Sequence, residues 1–391
     1  MGIYRGPGVI TKDLVFGYDS GYGVADNDTA TRFYSGEPIT NYLSSGVSNL
    51  NVVQRSDWYG ATPTFTLGTS EFGTPIGTYT VGSTSYMYSR DEVLDDDLST
   101  LSGQAVTFSI YLKRSGGSNI GTVGIRVYDN VSGYTTVYAA ATSEFQRFTL
   151  TKTLGANPTR IFVMIDSTNG GVIDFHSPQL EIGSTASPFV DGTRSDTTSL
   201  IDLKRTTSID VSNVSFDSTG QPDFDGTDDY FTTSGLSTNE PVDLTFETVI
   251  RFSGSLDSND RKVFHWDKTS TTDGVAQIRK GINNGRLMYQ HHNGTQWYTL
   301  AVDDVVVADT FAHITVVHNG TTATMYKNGV QIGTTSVGYL NYTNAGEILL
   351  GYRAGSEYWK GNIPVFKVYE TALSASEIKQ NYNAYKNRFD I

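Results

Sequence analysis

The chain has 391 residues, among them 40 glycines, 24 tyrosines, 19 phenylalanines and no cysteine, and it carries a net charge of −13. That length exceeds one ordinary domain and suits two. Lack of cysteine excludes disulfides and thiolate chemistry, and the acidic balance argues against nucleic-acid binding by phosphate neutralisation and against anionic lipid surfaces. Its simplest use is to keep the protein soluble. Tyrosine, phenylalanine and threonine suit pleated, half-buried surfaces, and glycine marks turns, so the composition predicts an all-β protein. The N-terminal stretch has no apolar core of signal-peptide length, and no run of about 18 apolar residues could span a membrane. The reading is of a protein assembled in a reducing cytoplasm, with no membrane insertion.

Residues 1–12, rich in glycine and proline, would be loose alone. DLVFGYD (13–19) reads as a strand, and 26–48 as a loop crossing into the next domain. Residues 50–192 read as a β-sandwich. Val106, Phe108, Ile110 and Leu112 alternate with polar neighbours, as do Val123, Ile125 and Val127, and then Ile161, Val163 and Ile165. Turn signals at Gly116-Gly117, Ser132-Gly133, Asn157-Pro158 and Asn169-Gly170-Gly171 separate these strands. Residues 196–391 read as a second sandwich. Leu244, Phe246, Thr248, Ile250 and Phe252 share one strand face, and Asn293-Gly294, Asn319-Gly320 and Asn328-Gly329 are hairpin turns. The strand around Val365–Tyr369 is apolar on both faces, which predicts a central position. A single helix is predicted near 375–387. Ser374 and Glu377 form a capping box, Leu373 and Ile378 a hydrophobic staple, and Ile378, Tyr382 and Tyr385 recur at helical spacing.

Three stretches, PDFDGTDDYFTT (222–233), FAHITVVHNGTTATMYKNGVQIG (311–333) and the strand and helix from Trp359 to Phe389, together resemble a concanavalin A-like (LamG/pentraxin-type) jelly roll. The version they most resemble occurs in bacteriophage virion proteins. In that family a stretch similar to DLVFGYD opens the jelly roll. This implies that 1–48 supplies the first strand of the C-terminal sandwich (196–391) and that 50–192 is an inserted domain; the alternative is an independent N-terminal arm. GEPITNYL (36–43) resembles the linkers that follow this strand. SPQLEIGSTASPFVDGTRS (177–195) is similar to the close of carbohydrate-binding-module-like domains in phage tail proteins. The resemblance implies a virion structural protein: a tail fibre, head fibre or capsid decoration, assembled in the host cytoplasm. It would bind host surface glycan and other virion proteins, with no nucleic acid, as a homo-oligomer with a trimer as the default. Two alternatives stand beside it, a purely architectural cement protein and a glycan-degrading enzyme or its binding module.

The residues offer little for catalysis. Jelly-roll glucanases carry paired carboxylates on one strand, as acid and nucleophile. The matching region LTFETVIRFSG offers Glu247 alone, read here as a solvent-facing strand carboxylate, so no enzyme is expected. His291 and His292 are adjacent and point to opposite strand faces, and His265, His313 and His318 show no ligand spacing. There is no nucleophile elbow, P-loop or dinucleotide fingerprint. Asp95 and Asp97, with Asp96, and Asp225 and Asp228, with Asp223 and Asp229, are candidate ligands for a structural calcium ion, such as LamG-like domains often hold. The competing reading is that Asp-Gly marks a turn and that adjacent aspartates form a solvated loop. Trp297, Tyr298, Trp266, Tyr358 and Trp359 are the candidate carbohydrate-binding aromatics, with Tyr352 nearby, because sugar C–H faces stack on exposed rings. Trp266 reads first as core, and Trp297, just after the Asn293-Gly294 turn, as the best surface candidate.

Overall fold

The computed structural model describes residues 8–21, 23–25, 32–34, 38–43, 58–59, 64–70, 75–81, 86–89, 98–116, 122–167, 171–187, 189–190, 193–204, 206–233, 236, 240–268, 271–282, 285–343, 345–353 and 357–391. Along the chain run β1 (Leu14–Asp19), β2 (Gly23–Ala25), β3 (Arg32–Tyr34), β4 (Ile39–Thr40), β5 (Trp58–Tyr59), β6 (Thr64–Thr69), β7 (Pro75–Val81), β8 (Tyr86–Ser89), β9 (Ala105–Gly116), β10 (Thr122–Asp129), β11 (Gly133–Ala140), β12 (Gln146–Thr153), β13 (Ile161–Ser167), β14 (Gly171–Ile182) and β15 (Thr193–Arg194). After a one-turn helix α1 (Asp196–Ser199) come β16 (Ile209–Asp210), β17 (Ser215–Phe216), β18 (Pro222–Asp225), β19 (Phe231–Thr233), β20 (Asp243–Phe252), β21 (Arg261–Lys268), β22 (Thr271–Lys280), β23 (Leu287–His292), β24 (Trp297–Val302), β25 (Phe311–Asn319), β26 (Thr322–Lys327), β27 (Val330–Ser336), β28 (Ala345–Leu350), β29 (Lys360–Tyr369) and helix α2 (Ala375–Phe389). The chain divides into two compact units, one of 1–22, 35–37 and 196–391, the other of 23–34 and 38–195.

The first unit is a jelly roll of two sheets. One runs β17-β18-β29-β20-β25-β26-β27, and the other β16-β19-β28-β21-β22-β23-β24. β29 is central: β20 lies along one edge, while β18 and β1 share the other end to end, pairing with 360–362 and 365–369 respectively. Gly17 sits where β1 crosses closest to β29. A Cβ there would lie 2.8 Å from the Lys367 side chain and 3.0 Å from the Phe366 carbonyl oxygen. Between the sheets the alternating apolar residues meet, with Phe246 stacked on Phe264 at 4.8 Å and Phe366 4.9 Å from Phe264. Such rings bury roughly 150–250 Å² each and supply much of the stability. The other face of β29 and β20 is also apolar, because α2 lies on it: Val249 and Val365 pack with Tyr385 and Phe389, and Leu14, Val317 and Tyr369 with Leu373 and Ile378. The capping box is present, with the Glu377 amide donating to Ser374 Oγ at 3.4 Å and the Ser374 amide to Glu377 Oε2 at 2.8 Å. Such a cap is worth about 1 kcal/mol. The helix runs two residues beyond the predicted end and stops at Asp390, whose φ of 53° is left-handed.

The second unit packs sheet β11-β10-β13-β8-β5 against sheet β12-β9-β14-β7-β6. Phe108, Ile110, Val123, Ile125, Val127, Val163, Ile165 and Phe175 fill its core. The stretch read as loop over 26–48 contains β3 and β4 instead. Asn41 holds its end in place by donating to the carbonyls of Pro178 and Val190 and accepting from the Leu180 amide.

Candidate functional site

The structure separates the predicted aromatic set. Trp266 and Trp359 are both fully buried in the jelly-roll core, which removes them from any ligand-facing surface. Trp266 donates from Nε1 to the Gly346 carbonyl at 3.2 Å and meets Tyr342 edge-on at 5.7 Å, and Trp359 packs edge-on to Phe252 at 5.6 Å. Tyr358 is half-buried in a ledge of three rings, 4.8 Å from Tyr352, which lies 4.9 Å from Tyr230. Arg261 fastens that ledge by donating to the carbonyls of Tyr358 at 2.6 Å and Gly226 at 3.2 Å. Trp297 and Tyr298 are half-buried on β24. Trp297 pairs with His292 at the mouth of the β23–β24 turn, with ring centroids 5.3 Å apart, and Tyr298 stacks on the buried His291 at 5.3 Å.

The turn that Trp297 closes forms one wall of a cavity of about 350 Å³. Its other walls are the segment leading into β20, with Glu240, Pro241 and Val242, and the segment between β27 and β28, with Tyr339, Leu340, Asn341, Tyr342 and Thr343. Three local devices hold this shape. Asn293 Oδ1 accepts the amides of Thr295 and Gln296, both at 2.9 Å, which fixes the turn. Asn341 Oδ1 accepts the Thr343 amide at 2.9 Å, and its Nδ2 lies so close to Gly294 that a Cβ there would be 2.5 Å away. Tyr342 is buried, and its hydroxyl donates to the Pro241 carbonyl at 2.8 Å, tying two walls together. Burial, then the charges of Glu370, Glu240 and Asp243, push the Tyr342 phenol well above its ordinary value, so it stays a donor. Tyr339, 61 % exposed, presents its ring at the rim. Glu240 holds a left-handed φ of 51° there, a conformation that costs a non-glycine residue energy and is kept by its surroundings. Neither Tyr339 nor the amide pair was singled out from sequence, since one tyrosine among 24 carries no mark of exposure. An exposed ring beside two amides and a carboxylate offers a stacking face and hydroxyl partners to a polar, ring-shaped ligand.

The carboxylates near the β18–β19 turn come together as a group. Oxygens of Asp225, Asp228 and Asp229 lie within 4.8 Å of one another. Asp225 Oδ1 accepts the amides of Thr227 at 2.6 Å and Asp228 at 3.3 Å, and Asp229 Oδ2 accepts the Asp225 amide at 2.8 Å. The Asp229 carboxyl is pushed up to about 6, by burial and by the charges of Asp225, Asp228 and Asp223, against the Asp225 amide bond that lowers it. A group of hard oxygens suits a calcium ion, while the amide bonds account for the same residues as a turn. Asp95 and Asp97 lie outside the described residues.

Glu247 is not the solvent-facing carboxylate that its strand position implied. It is buried beneath α2. His313 Nε2 donates to its Oε1 at 2.7 Å, the Tyr369 hydroxyl and Asn381 Nδ2 donate to its Oε2 at 2.7 and 2.9 Å, and Lys367 Nζ stands 3.7 Å away. Burial opposes its charge, but Lys367, His313 and Tyr369 overcome that and hold the carboxyl down to about 2. Lys367 also donates to the Tyr385 hydroxyl, and Asn381 Oδ1 accepts the Ile10 amide at 2.7 Å. The network joins α2, β20, β25, β29 and the segment before β1. With its carboxylate enclosed, it serves the fold and offers no substrate access. Little in the sequence signalled this, since the residues that share Glu247's strand face are Thr245, Val249 and Arg251, a mixed set that fits an open face as well as a covered one.

A match to a family model agrees with the jelly roll of the first unit. Residues 225–379 match the family model described as the concanavalin A-like lectin/glucanases superfamily. Among solved structures, the botulinum neurotoxin serotype D binding domain aligns with 15% identity and a TM-score of 0.40, covering 47% of this chain and 48% of that one. The botulinum neurotoxin type G receptor-binding domain aligns with 15% identity and a TM-score of 0.39, again over 47% and 48%. The chain thus spans about half the length of these structures. No curated protein matches it. Over residues 225–379 the sequence is therefore similar to the concanavalin A-like lectin/glucanases superfamily.

Proposed function

We propose that the chain is a structural component of a bacteriophage particle, a fibre or surface decoration, that binds host surface glycan through the cavity at the β23–β24 turn. The observation that carries the binding reading is that cavity itself. It is about 350 Å³, rimmed by the exposed Tyr339 and by Asn293, Asn341 and Glu240, and built on a lectin/glucanase-type sandwich. That volume falls in the range of small-ligand sites, which run from about 300 to 1,000 Å³. The protein acts here by binding, without covalent chemistry. The virion setting, the neighbouring virion proteins and a homotrimer come from the resemblance of the strand motifs.

The test is retention of the purified chain on host cells and on their extracted surface polysaccharide, with and without chelator. Saturable binding that weakens about tenfold in Tyr339→Ala and in Asn341→Ala supports the proposal. Loss of binding with chelator shows that binding needs a cation, and its loss in Asp225→Asn as well places that cation at the Asp225–Asp229 group. Binding that neither substitution changes sinks the cavity as the site. No binding at all, with the protein still found by immunogold labelling on particles, replaces the adhesin with a cement protein. Absence of label from particles removes the virion setting.

A further inference from the structure

The second unit ends on one side in an open strand. β11 is the edge of sheet β11-β10-β13-β8-β5, and no described strand pairs with its outer side. It runs eight residues in unbroken register with β10, so alternate residues present N–H and C=O groups outward along one straight rim. Proteins normally guard such a rim with lysine, proline or a bulge. β11 has none of these. Its sequence is GYTTVYAA, and no charged residue lies between Asp129 and Glu144.

The large side chains leave the rim clear. Tyr138 leans back over β10, where its cross-strand partner is Gly124; a Cβ there would lie 2.6 Å from Tyr138 Cε1. Its hydroxyl holds it in place, donating to Asp166 Oδ2 at 2.7 Å and accepting from Arg126 Nη2 at 2.7 Å. Tyr134 is drawn back in the same way onto Tyr128 of β10, with centroids 4.7 Å apart. The charges nearest the strand's two faces are paired, Arg126 with Asp166 and Lys152 with Asp129. Tyr134, Val137 and Tyr138 nevertheless stay 56 %, 40 % and 45 % exposed, so both faces of β11 are open.

The sequence of β11 says what fits this rim. It reads nearly alike in both directions about Thr136: Tyr134 mirrors Tyr138, Thr135 mirrors Val137, and Gly133 mirrors Ala139. Antiparallel pairing about a twofold axis sets each residue opposite its mirror. Tyrosine then meets tyrosine, β-branched meets β-branched and small meets small, with no like charges opposed. Copies of a chain with net charge −13 repel one another, so they meet most easily where charge is lacking. We propose that β11 pairs with β11 of a second copy of this chain, antiparallel and centred on Thr136, joining two second units through one continuous sheet. A strand pairs with its own copy in this way only about a twofold axis, so the contact is separate from any threefold assembly.

The test uses the full chain. By sedimentation equilibrium the unaltered protein is expected at twice the mass of Thr136→Lys, which sets like charges face to face across the axis. The chain has no cysteine, so an introduced thiol is the only one present. Thr136→Cys is expected to give a covalently linked dimer under mild oxidation or with a short bismaleimide, because that position meets itself. Ala140→Cys stands eight residues along from its own copy, roughly 26 Å at strand rise, and is expected to stay unlinked. Unchanged circular dichroism spectra show that the variants fold. Equal masses for the unaltered protein and Thr136→Lys overturn the proposal, whether that mass is one chain or three. Absence of a linked dimer from Thr136→Cys overturns it independently of the lysine variant. Linking of Ala140→Cys as readily as Thr136→Cys overturns the register, and with it the proposal.

Discussion

Glu240 and Glu247 stand seven residues apart on either side of the start of β20, and they end in opposite situations. Glu247 is sealed under α2 with its oxygens bonded to His313, Tyr369 and Asn381. Glu240 sits exposed at a cavity rim in a left-handed backbone conformation. A buried charge survives only where its hydrogen bonds are met, and once met they lock the elements that supply them. A charge at a rim is solvated, contributes little to stability and stays available to a ligand. One carboxylate therefore belongs to the fold and the other to the surface that the fold presents.

The sharpest way to break this contrast is to neutralise each side. Glu247→Ala leaves His313 and Lys367 buried without their partner and is expected to cost about 3–5 kcal/mol in urea unfolding. Retention on polysaccharide should be unchanged under conditions where the variant is folded. The acid response should follow the same group. With its carboxyl held down to about 2 against an ordinary 4.5, Glu247 contributes fully above pH 4.5 and loses that contribution as pH falls toward 2. Unfolding midpoints measured across that window should fall in the parent, and fall less in Glu247→Gln.

Trp266→Ala and Trp297→Ala extend the comparison to aromatic rings. Emptying the buried Trp266 site should cost about 3–5 kcal/mol. Trp297, half-buried at the hairpin mouth, should cost clearly less in the same urea unfolding. Equal costs would show that the hairpin is part of the core.

Tyr339→Ala should change stability by no more than about 0.5 kcal/mol while weakening glycan retention about tenfold, or about 1.4 kcal/mol of binding. A large loss of stability with unchanged binding would reverse the assignment of fold and surface.

The smallest effect is expected at Asp229. Its carboxyl is raised to about 6 from 3.8, so the native state holds the proton more tightly than the unfolded chain between those values. Stability should rise slightly as pH falls from 6 to 3.8, and Asp229→Asn should remove that slope. Added calcium, if bound at Asp225, Asp228 and Asp229, should raise the unfolding midpoint above pH 6, where the Asp229 carboxyl is ionised.

Much of the architecture was written locally. Period-two alternation in β9, β10, β13 and β20 marks strands. Asn-Gly pairs mark their hairpins, and Ser374 with Glu377 marks the start of α2, because each depends on residues within a few positions of one another. The candidate site was legible only in part. Trp297 follows the turn that walls the candidate cavity, while Trp266 and Trp359, equally aromatic, are core. Whether a ring is covered depends on strands that arrive from far along the chain.

What the sequence by itself determined is therefore the list of elements, their amphipathic faces and the helix cap. Tertiary structure decided which faces were covered. It brought Glu240, Asn293, Tyr339 and Asn341 around one cavity, and Glu247, His313, Tyr369 and Asn381 around one charge. The members of each set come from separate segments, so no local pattern announces them. Burial and hydrogen-bond satisfaction are properties of the packed assembly, and they exist only once the sheets and the helix have closed.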